Sequence, residues 1–180
     1  MIGDTTFQLQ NRNKGNIDMN LQEQISRMKS MMSLVIESKY ENYKKNWDYV
    51  GSSYTDFDIN EPLSVSIYLF PNEKGFLVEL FYNNSLVGEF HSFVDEEEGQ
   101  MNDIEIKEDF QGKGLGKILL LVSINVSNNY LGFFQSDPRG LTKSQEYVYK
   151  SLNNAGILKN WNEINYNEAQ NFIDKITKEL

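Results

Sequence analysis

The 180-residue chain contains no cysteine. That absence excludes disulfides, thiolate metal sites and a cysteine nucleophile outright. Histidine is almost missing as well, since His91 is the only one. A Ser-His relay or a histidine-rich metal centre would rest on that single side chain, so no metal site is expected. Basic residues are in deficit, with 17 Lys and Arg against 26 Asp and Glu and a net charge of −9. That balance argues against extended nucleic-acid binding and favours, weakly, cationic substrates such as amines. No apolar run approaches the roughly 20 residues that cross a bilayer. The first residues, "MIGDTTFQLQNRNKGN", lack the apolar core of a signal peptide. A soluble, cytoplasmic protein with no membrane partner is the expectation.

What is present suits a globular fold. Hydrophobic residues make up 39% and aromatics 13%, enough for one substantial core. Residues 1–20 are polar and read as a flexible N-terminal arm, with a single domain over 21–180. Leu21, Ile25, Met28, Met32 and Val35 fall on one face of a helix that ends near Ser38. Residues 40–62 read as irregular, with Tyr43 and Trp47 packing them onto the core. From Leu63 the pattern alternates: "LSVSIYLF", "FLVELFYN", "LVGEFHSFV" and "MNDIEIKEDF" are four strands joined by tight turns, an antiparallel meander.

After the meander comes "QGKGLGK", residues 111–117. Leu115, Ile118, Leu119, Val122 and Val126 then share a helical face. "LGFFQSD" reads as a central strand, and residues 142–156 as a helix with a Thr142/Gln145 capping box and Gly156 beyond its end. Residues 157–166 offer a strand or two, and 169–180 a terminal helix. Helix, four strands, helix, strand, helix is an α/β order with an antiparallel front half.

Consecutive amide N–H groups at a strand-to-helix junction form an anion site, and glycines let a phosphate approach them. A tight structural turn is the competing reading of the same residues. A nucleoside-triphosphate P-loop does not fit: Gln111 stands where its first glycine belongs, and Ile118 follows Lys117 where Ser or Thr is needed. The dinucleotide fingerprint also fails, because Lys117 or Leu119 occupies its third glycine and the preceding strands form a meander.

Gln111-Gly112-Lys113-Gly114-Leu115-Gly116 resembles Arg/Gln-x-x-Gly-x-Gly/Ala, the pyrophosphate loop of the GNAT superfamily of acyl-CoA-dependent N-acetyltransferases. "MNDIEIKEDFQGKGLGKILL" is similar to that family's strand-loop-helix core, and the likeness runs from about Leu63 to Ile157. The resemblance implies a GNAT-like mixed sheet and acetyl-CoA as co-substrate. It implies that the amides of Gln111, Gly112, Lys113, Gly114, Leu115, Gly116 and Lys117 hold the pyrophosphate. The strand before the loop would splay from its neighbour at a bulge, so that backbone groups around Ile104 to Lys107 pair with the pantetheine arm. The Ile106 amide would steady the oxyanion.

The resemblance also implies a proton donor for the leaving thiolate at Tyr149, with Tyr147 as competitor. Thr142 stands where many members carry Asn, and Gly156 lies seven residues after Tyr149, a longer step than is common. A base for the amine is sought in Asp103 and Glu105, which share one strand face, or in Glu89 and His91 on the preceding strand. The acceptor would be an amine-bearing small molecule, a protein lysine or an N-terminal amine. The alternative is a non-catalytic interaction protein that engages a partner through the Met-rich face of "LQEQISRMKSMMSLV". That stretch also resembles short N-terminal segments on proteins of large tailed phages, which would make the protein phage-associated. A phosphate-binding domain for another nucleotide is the third reading. Oligomeric state stays open.

Overall fold

A computed structural model of the chain describes residues 44–45, 47–70, 74–95, 99–134, 142–160 and 162–180. All of them belong to one compact unit, Ser38–Leu180. The expected flexible arm and Met-faced helix, and with them Tyr43, lie outside the described residues.

Five strands, β1 (Asp48–Tyr49), β2 (Leu63–Phe70), β3 (Gly75–Tyr82), β4 (Ser85–Asp95) and β5 (Gly99–Ile106), pair in sequential order. Every pairing among them is antiparallel. The β3–β4 turn is made by Asn83 and Asn84, both at positive φ (49° and 63°), a conformation that asparagine tolerates better than other side chains. β1 was not legible in the sequence; it pairs Asp48 with Leu69 and Tyr49 with Tyr68 inside a stretch read as loop.

The two faces of the sheet differ. Leu63, Val65, Ile67, Val78, Leu80 and Phe90 lie on the face that carries helix α1 (Leu115–Tyr130), all essentially buried. α1 packs on β3, β4 and β5 and is itself buried along most of its length, as its broad apolar pattern requires. Gly88 on β4 makes this packing close: a Cβ there would stand 2.3 Å from Ile106 Cδ1 and 3.2 Å from Leu119 Cδ2.

Helix α2 (Lys143–Asn154) begins at the capping box as read, with Thr142 Oγ1 accepting from the Gln145 amide at 3.3 Å and Gln145 Oε1 accepting from the Thr142 amide at 2.8 Å. A small hairpin follows, β6 (Leu158–Lys159) with β7 (Glu163–Ile164). Helix α3 (Tyr166–Glu179) starts three residues earlier than its apolar pattern shows, because Asn165 caps it through the Glu168 amide.

α3 runs back along α1. Its beginning is tied to the middle of α1, where Asn125 Nδ2 donates to Tyr166 Oη at 3.0 Å, and Ile176 near its end reaches Gly114 at the start of α1. The α/β class with an antiparallel front half is what the sequence implied. The strand expected at 131–137 is not seen in its described part: Leu131 to Phe134 carry no strand pairing, and 135–141 lie outside the described residues.

Candidate functional site

The glycine loop starts where β5 ends. Residues Glu108–Phe110 make one tight turn, and Phe110 lies edge-on against Tyr82 of β3, ring centroids 6.1 Å apart. The loop therefore crosses the end of the sheet from β5 to β3 before α1 begins. Phe110 and Gln111 spend their amides on Lys107 and Glu108 carbonyls, and Lys117 and Ile118 spend theirs on the Gly114 carbonyl. Between them, the N–H groups of Gly112, Lys113, Gly114, Leu115 and Gly116 have no hydrogen-bond acceptor among the described residues.

Those five consecutive amides sit on the N-terminus of a 16-residue helix. Gly114 is its N-cap at φ 83°, offers no capping side chain, and the first turn holds no acidic residue. Orphan donors and the positive end of the helix dipole thus coincide at a point that the protein leaves uncapped. A Cβ on Gly112 would meet nothing within 4 Å and one on Gly116 only Ile106 Cγ1 at 3.5 Å, so space lies over the loop. Leu115 contributes its amide alone, since its side chain is buried in the core.

The backbone of β5 can be phased from one bond. Lys107 donates its N–H to Val87 O at 3.0 Å, and Glu105 is registered opposite Glu89. Antiparallel alternation then turns the amides and carbonyls of Glu105 and Lys107 toward β4, and those of Ile104 and Ile106 away from it. No strand pairs with that outer edge among the described residues. Gln111 Nε2 donates to the Ile106 carbonyl at 2.9 Å, which leaves the Ile106 amide on the same open edge.

The bulge at which β5 was expected to splay from its neighbour is not found against β4, and on the other side of β5 the expected strand lies partly outside the described residues. β4 and β5 pair in unbroken register from Gly88↔Ile106 to Asp95↔Gly99. The irregularity lies between β3 and β4, where Val87 is the extra residue between the Leu80↔Gly88 and Phe81↔Leu86 pairs.

The candidate bases do gather. Asp103 and Glu105 are exposed and share the face of β5 opposite α1. Glu89 is the direct neighbour of Glu105, and His91 of Asp103. Glu79 on β3 continues the row beside Glu89, giving three carboxylates across three adjacent strands. Glu79 is 2% exposed and ion-paired with Lys44. Lys107 stands among them. Burial pulls its pKa below the ordinary lysine value of 10.5, while Glu89, Glu105 and Glu79 pull the other way.

Glu79, Lys44 and Lys107 were not singled out by the sequence reading. The available signal for Glu79 was a lone carboxylate inside "FLVELF", an otherwise apolar strand. His91 is part of an aromatic cluster on this face, with ring centroids 5.5 Å from Phe70, 5.7 Å from Phe93 and 6.2 Å from Trp47.

The two tyrosines of α2 separate cleanly. Tyr149 is 4% exposed, its ring centroid 6.5 Å from that of Phe134, whereas Tyr147 is 69% exposed. α2 is tied to the loop region by Lys117 Nζ, which donates to Ser151 Oγ at 2.6 Å.

A family model described as "Acetyltransferase (GNAT) family" matches residues 29–133, more than half of the chain. The match takes in the meander, the glycine loop and α1, and it stops before α2 and α3. No curated protein and no solved structure matches the chain.

Proposed function

The chain belongs to the GNAT acetyltransferase family, and from that premise we propose that it is an N-acetyltransferase that takes the acetyl group of acetyl-CoA and passes it directly to a primary amine. The observation that carries this reading is the run of five consecutive uncommitted amides, Gly112 to Gly116, at the bare N-terminus of α1. They suit a pyrophosphate in both number and charge. Gln111, Lys113 and Lys117 flank them.

The reaction assigns a task to each part of the site. The outer edge of β5 at Ile104 and Ile106 offers strand-like hydrogen bonds to the pantetheine amides. Glu105, or Asp103 two residues before it, takes the proton that the ammonium must lose before its nitrogen can attack. The Ile106 N–H meets the carbonyl oxygen as it gains negative charge during formation of the C–N bond. As the C–S bond breaks, Tyr149 supplies the proton that converts the thiolate to a thiol. The carboxylates on the outer face of the sheet suit a cationic acceptor, whether a small amine, a protein lysine or an N-terminus. No covalent enzyme intermediate is required, in keeping with a chain that has no cysteine.

Calorimetric titration of acetyl-CoA tests the reading, with Gly116→Glu as the control. Gly114→Glu is the weaker control because Ile176 crowds that position. A Cβ on Gly116 makes only an ordinary contact, and a carboxylate in a first helical turn favours folding while repelling phosphate. Micromolar binding that the substitution abolishes supports the reading. Folded wild-type protein that binds no acetyl-CoA overturns it.

A further inference from the structure

Lys107 directly follows Ile106, the last residue of β5, and no step above gives it a task. Its N–H is spent on the Val87 carbonyl, which fixes its backbone beside the Ile106 amide at the open edge. Its side chain is half-buried and continues the strand face that carries Glu105. Glu89, Glu105 and Glu79 all act on its charge, so its ammonium lies within reach of the carboxylate row.

The neighbouring lysines are engaged elsewhere. Lys44 is ion-paired with Glu79, and Lys117 Nζ donates to Ser151 Oγ at 2.6 Å. Lys113 Nζ lies 5.1 Å from the centroid of the Phe110 ring. Lys107 differs because it adjoins the amide that the reaction assigns to the thioester carbonyl.

The distances suit a transfer within one molecule. A carbonyl oxygen accepting from the Ile106 N–H sits about 2.9 Å from that nitrogen, and consecutive Cα atoms are about 3.8 Å apart. The four-carbon stem of a lysine spans such a gap and can fold back along it. Burial also lowers the Lys107 pKa below 10.5, which raises the share of neutral amine, the form that attacks.

We propose that Lys107 is itself an acceptor: the protein transfers one acetyl group from acetyl-CoA to Lys107 Nζ of the same molecule. Nζ gives a proton to Glu105 and its lone pair attacks the thioester carbonyl carbon. The C–N bond forms, the C–S bond breaks, and the sulfur leaves with the electron pair and takes a proton from Tyr149. The products are Nε-acetyl-Lys107 and free CoA. An amide does not pass its acetyl group on, so this modification is an end point and not a step of turnover. The proposal rests on the acetyl-CoA reading.

The test incubates purified full-length protein with acetyl-CoA and no added amine, and follows each lysine by peptide mass spectrometry. Lys159 and Lys175 are well exposed and report the background of uncatalysed acetylation. Lys107 is expected to be acetylated at least about tenfold faster than either, because the thioester is held beside it. Its first-order rate should not change when the protein is diluted. Gly116→Glu should lose the Lys107 signal and keep the background. Lys107→Arg, which keeps the charge, should take up acetyl groups at the background rate alone.

A wild type that binds acetyl-CoA in calorimetry, yet acetylates Lys107 no faster than Lys159 and Lys175, overturns the proposal and leaves the acetyl-CoA reading intact. A Lys107 rate that falls in proportion to protein concentration also overturns it, since transfer then runs between molecules. If acetyl-CoA does not bind, the acetyl-CoA reading falls, and self-acetylation falls with it.

Discussion

A Cβ added to Gly114 would stand 2.9 Å from Ile176 Cδ1 and 3.2 Å from its Cγ1. One glycine thereby serves two requirements. It holds φ at 83°, a left-handed conformation that lets α1 start without a capping side chain, and it lets α3 close over the loop. Gly114→Ala is expected to cost about 1–3 kcal/mol in chemical denaturation, combining backbone strain with overpacking. Trimming the opposing side chain in Gly114→Ala/Ile176→Val recovers part of that loss. A Gly114→Ala protein as stable as wild type would show that α3 does not press on the loop.

Gly88 plays the comparable part under β5. The Cβ it lacks would lie 2.3 Å from Ile106 Cδ1 and 2.9 Å from the carbonyl oxygen of Glu105. The first contact can be relieved by a rotamer change, but the second is to backbone, so β5 itself must move. Gly88→Ala is expected to lose at least about 2 kcal/mol and to weaken acetyl-CoA binding, because the Ile106 amide moves with the strand. Gly132→Ala is a useful contrast. It has positive φ and open space around it, so it costs only about 1 kcal/mol of strain and leaves binding unchanged.

These two contacts show what the sequence could and could not disclose. The meander, α1 and the capped α2 were readable because period and capping chemistry are local. The loop was readable because its glycines and Gln111 form a pattern in themselves. β1 was not, since two residues carry no period, and its partners in β2 lie 19 to 21 residues away. Glu79 beside Glu89 beside Glu105 was half visible: the alternation put Asp103 and Glu105 on one face, but only strand register brings Glu79 and Glu89 alongside. The closure of α3 over Gly114 depends on helix packing, which no spacing within "YNEAQNFIDKITKE" encodes. Tyr149 was named by resemblance, and its burial follows from tertiary packing.

Lys107 reports on that carboxylate row. Burial lowers its pKa, and Glu89, Glu105 and Glu79 resist the change, Glu89 most strongly. Its ¹³Cε resonance is therefore expected to titrate below the usual lysine value of 10.5. Glu89→Gln should lower the midpoint further, and Glu105→Gln by less. As a folded pKa below the unfolded one penalises the charged form, stability should rise as pH passes upward through the folded pKa toward 10.5. A midpoint that does not respond to Glu89→Gln would remove Lys107 from the row.

The proposed acid and base differ in what their removal does. Glu105 is exposed, so Glu105→Gln should leave the melting temperature unchanged while lowering kcat about 10²-fold or more, as expected for loss of a general base. Its deficit should shrink as pH rises and the amine loses its proton unaided. Tyr149 is buried, so Tyr149→Phe may be judged only beside its melting curve; a folded variant with lowered kcat and unchanged KM for acetyl-CoA identifies the acid. Equal activity in Glu105→Gln and wild type across pH would transfer the base role to Asp103 or Glu89.

Asn125 is buried at the middle of α1, with all of its hydrogen-bonding capacity in use. Its Oδ1 accepts from Thr55 Oγ1 and the Asp56 amide, both at 2.9 Å. Its Nδ2 donates to Asp56 Oδ2 at 2.7 Å and to Tyr166 Oη at 3.0 Å. Hydrogen bonds from Asn125 and Asn129 hold the Asp56 carboxyl below its ordinary pKa. A depressed carboxylate pKa means stability that is present above the unfolded value and lost as pH falls through the folded one.

Asn125→Leu should therefore destabilise the protein at neutral pH by about 2–3 kcal/mol and flatten its response to acid. Asn125→Asp should be worse at neutral pH, by about 3 kcal/mol or more, because it places a carboxylate at a fully buried position of α1 and sets it against Asp56 Oδ2. There the folded pKa of the carboxylate pair is raised, so the sign reverses and the variant regains stability as pH falls toward 5. Thermal melts of the two variants between pH 5 and 8 decide the matter. Parallel curves would mean that Asp56 and residue 125 do not share a proton-sensitive contact, and that the segment at Thr55–Asp56 is held to α1 by packing alone.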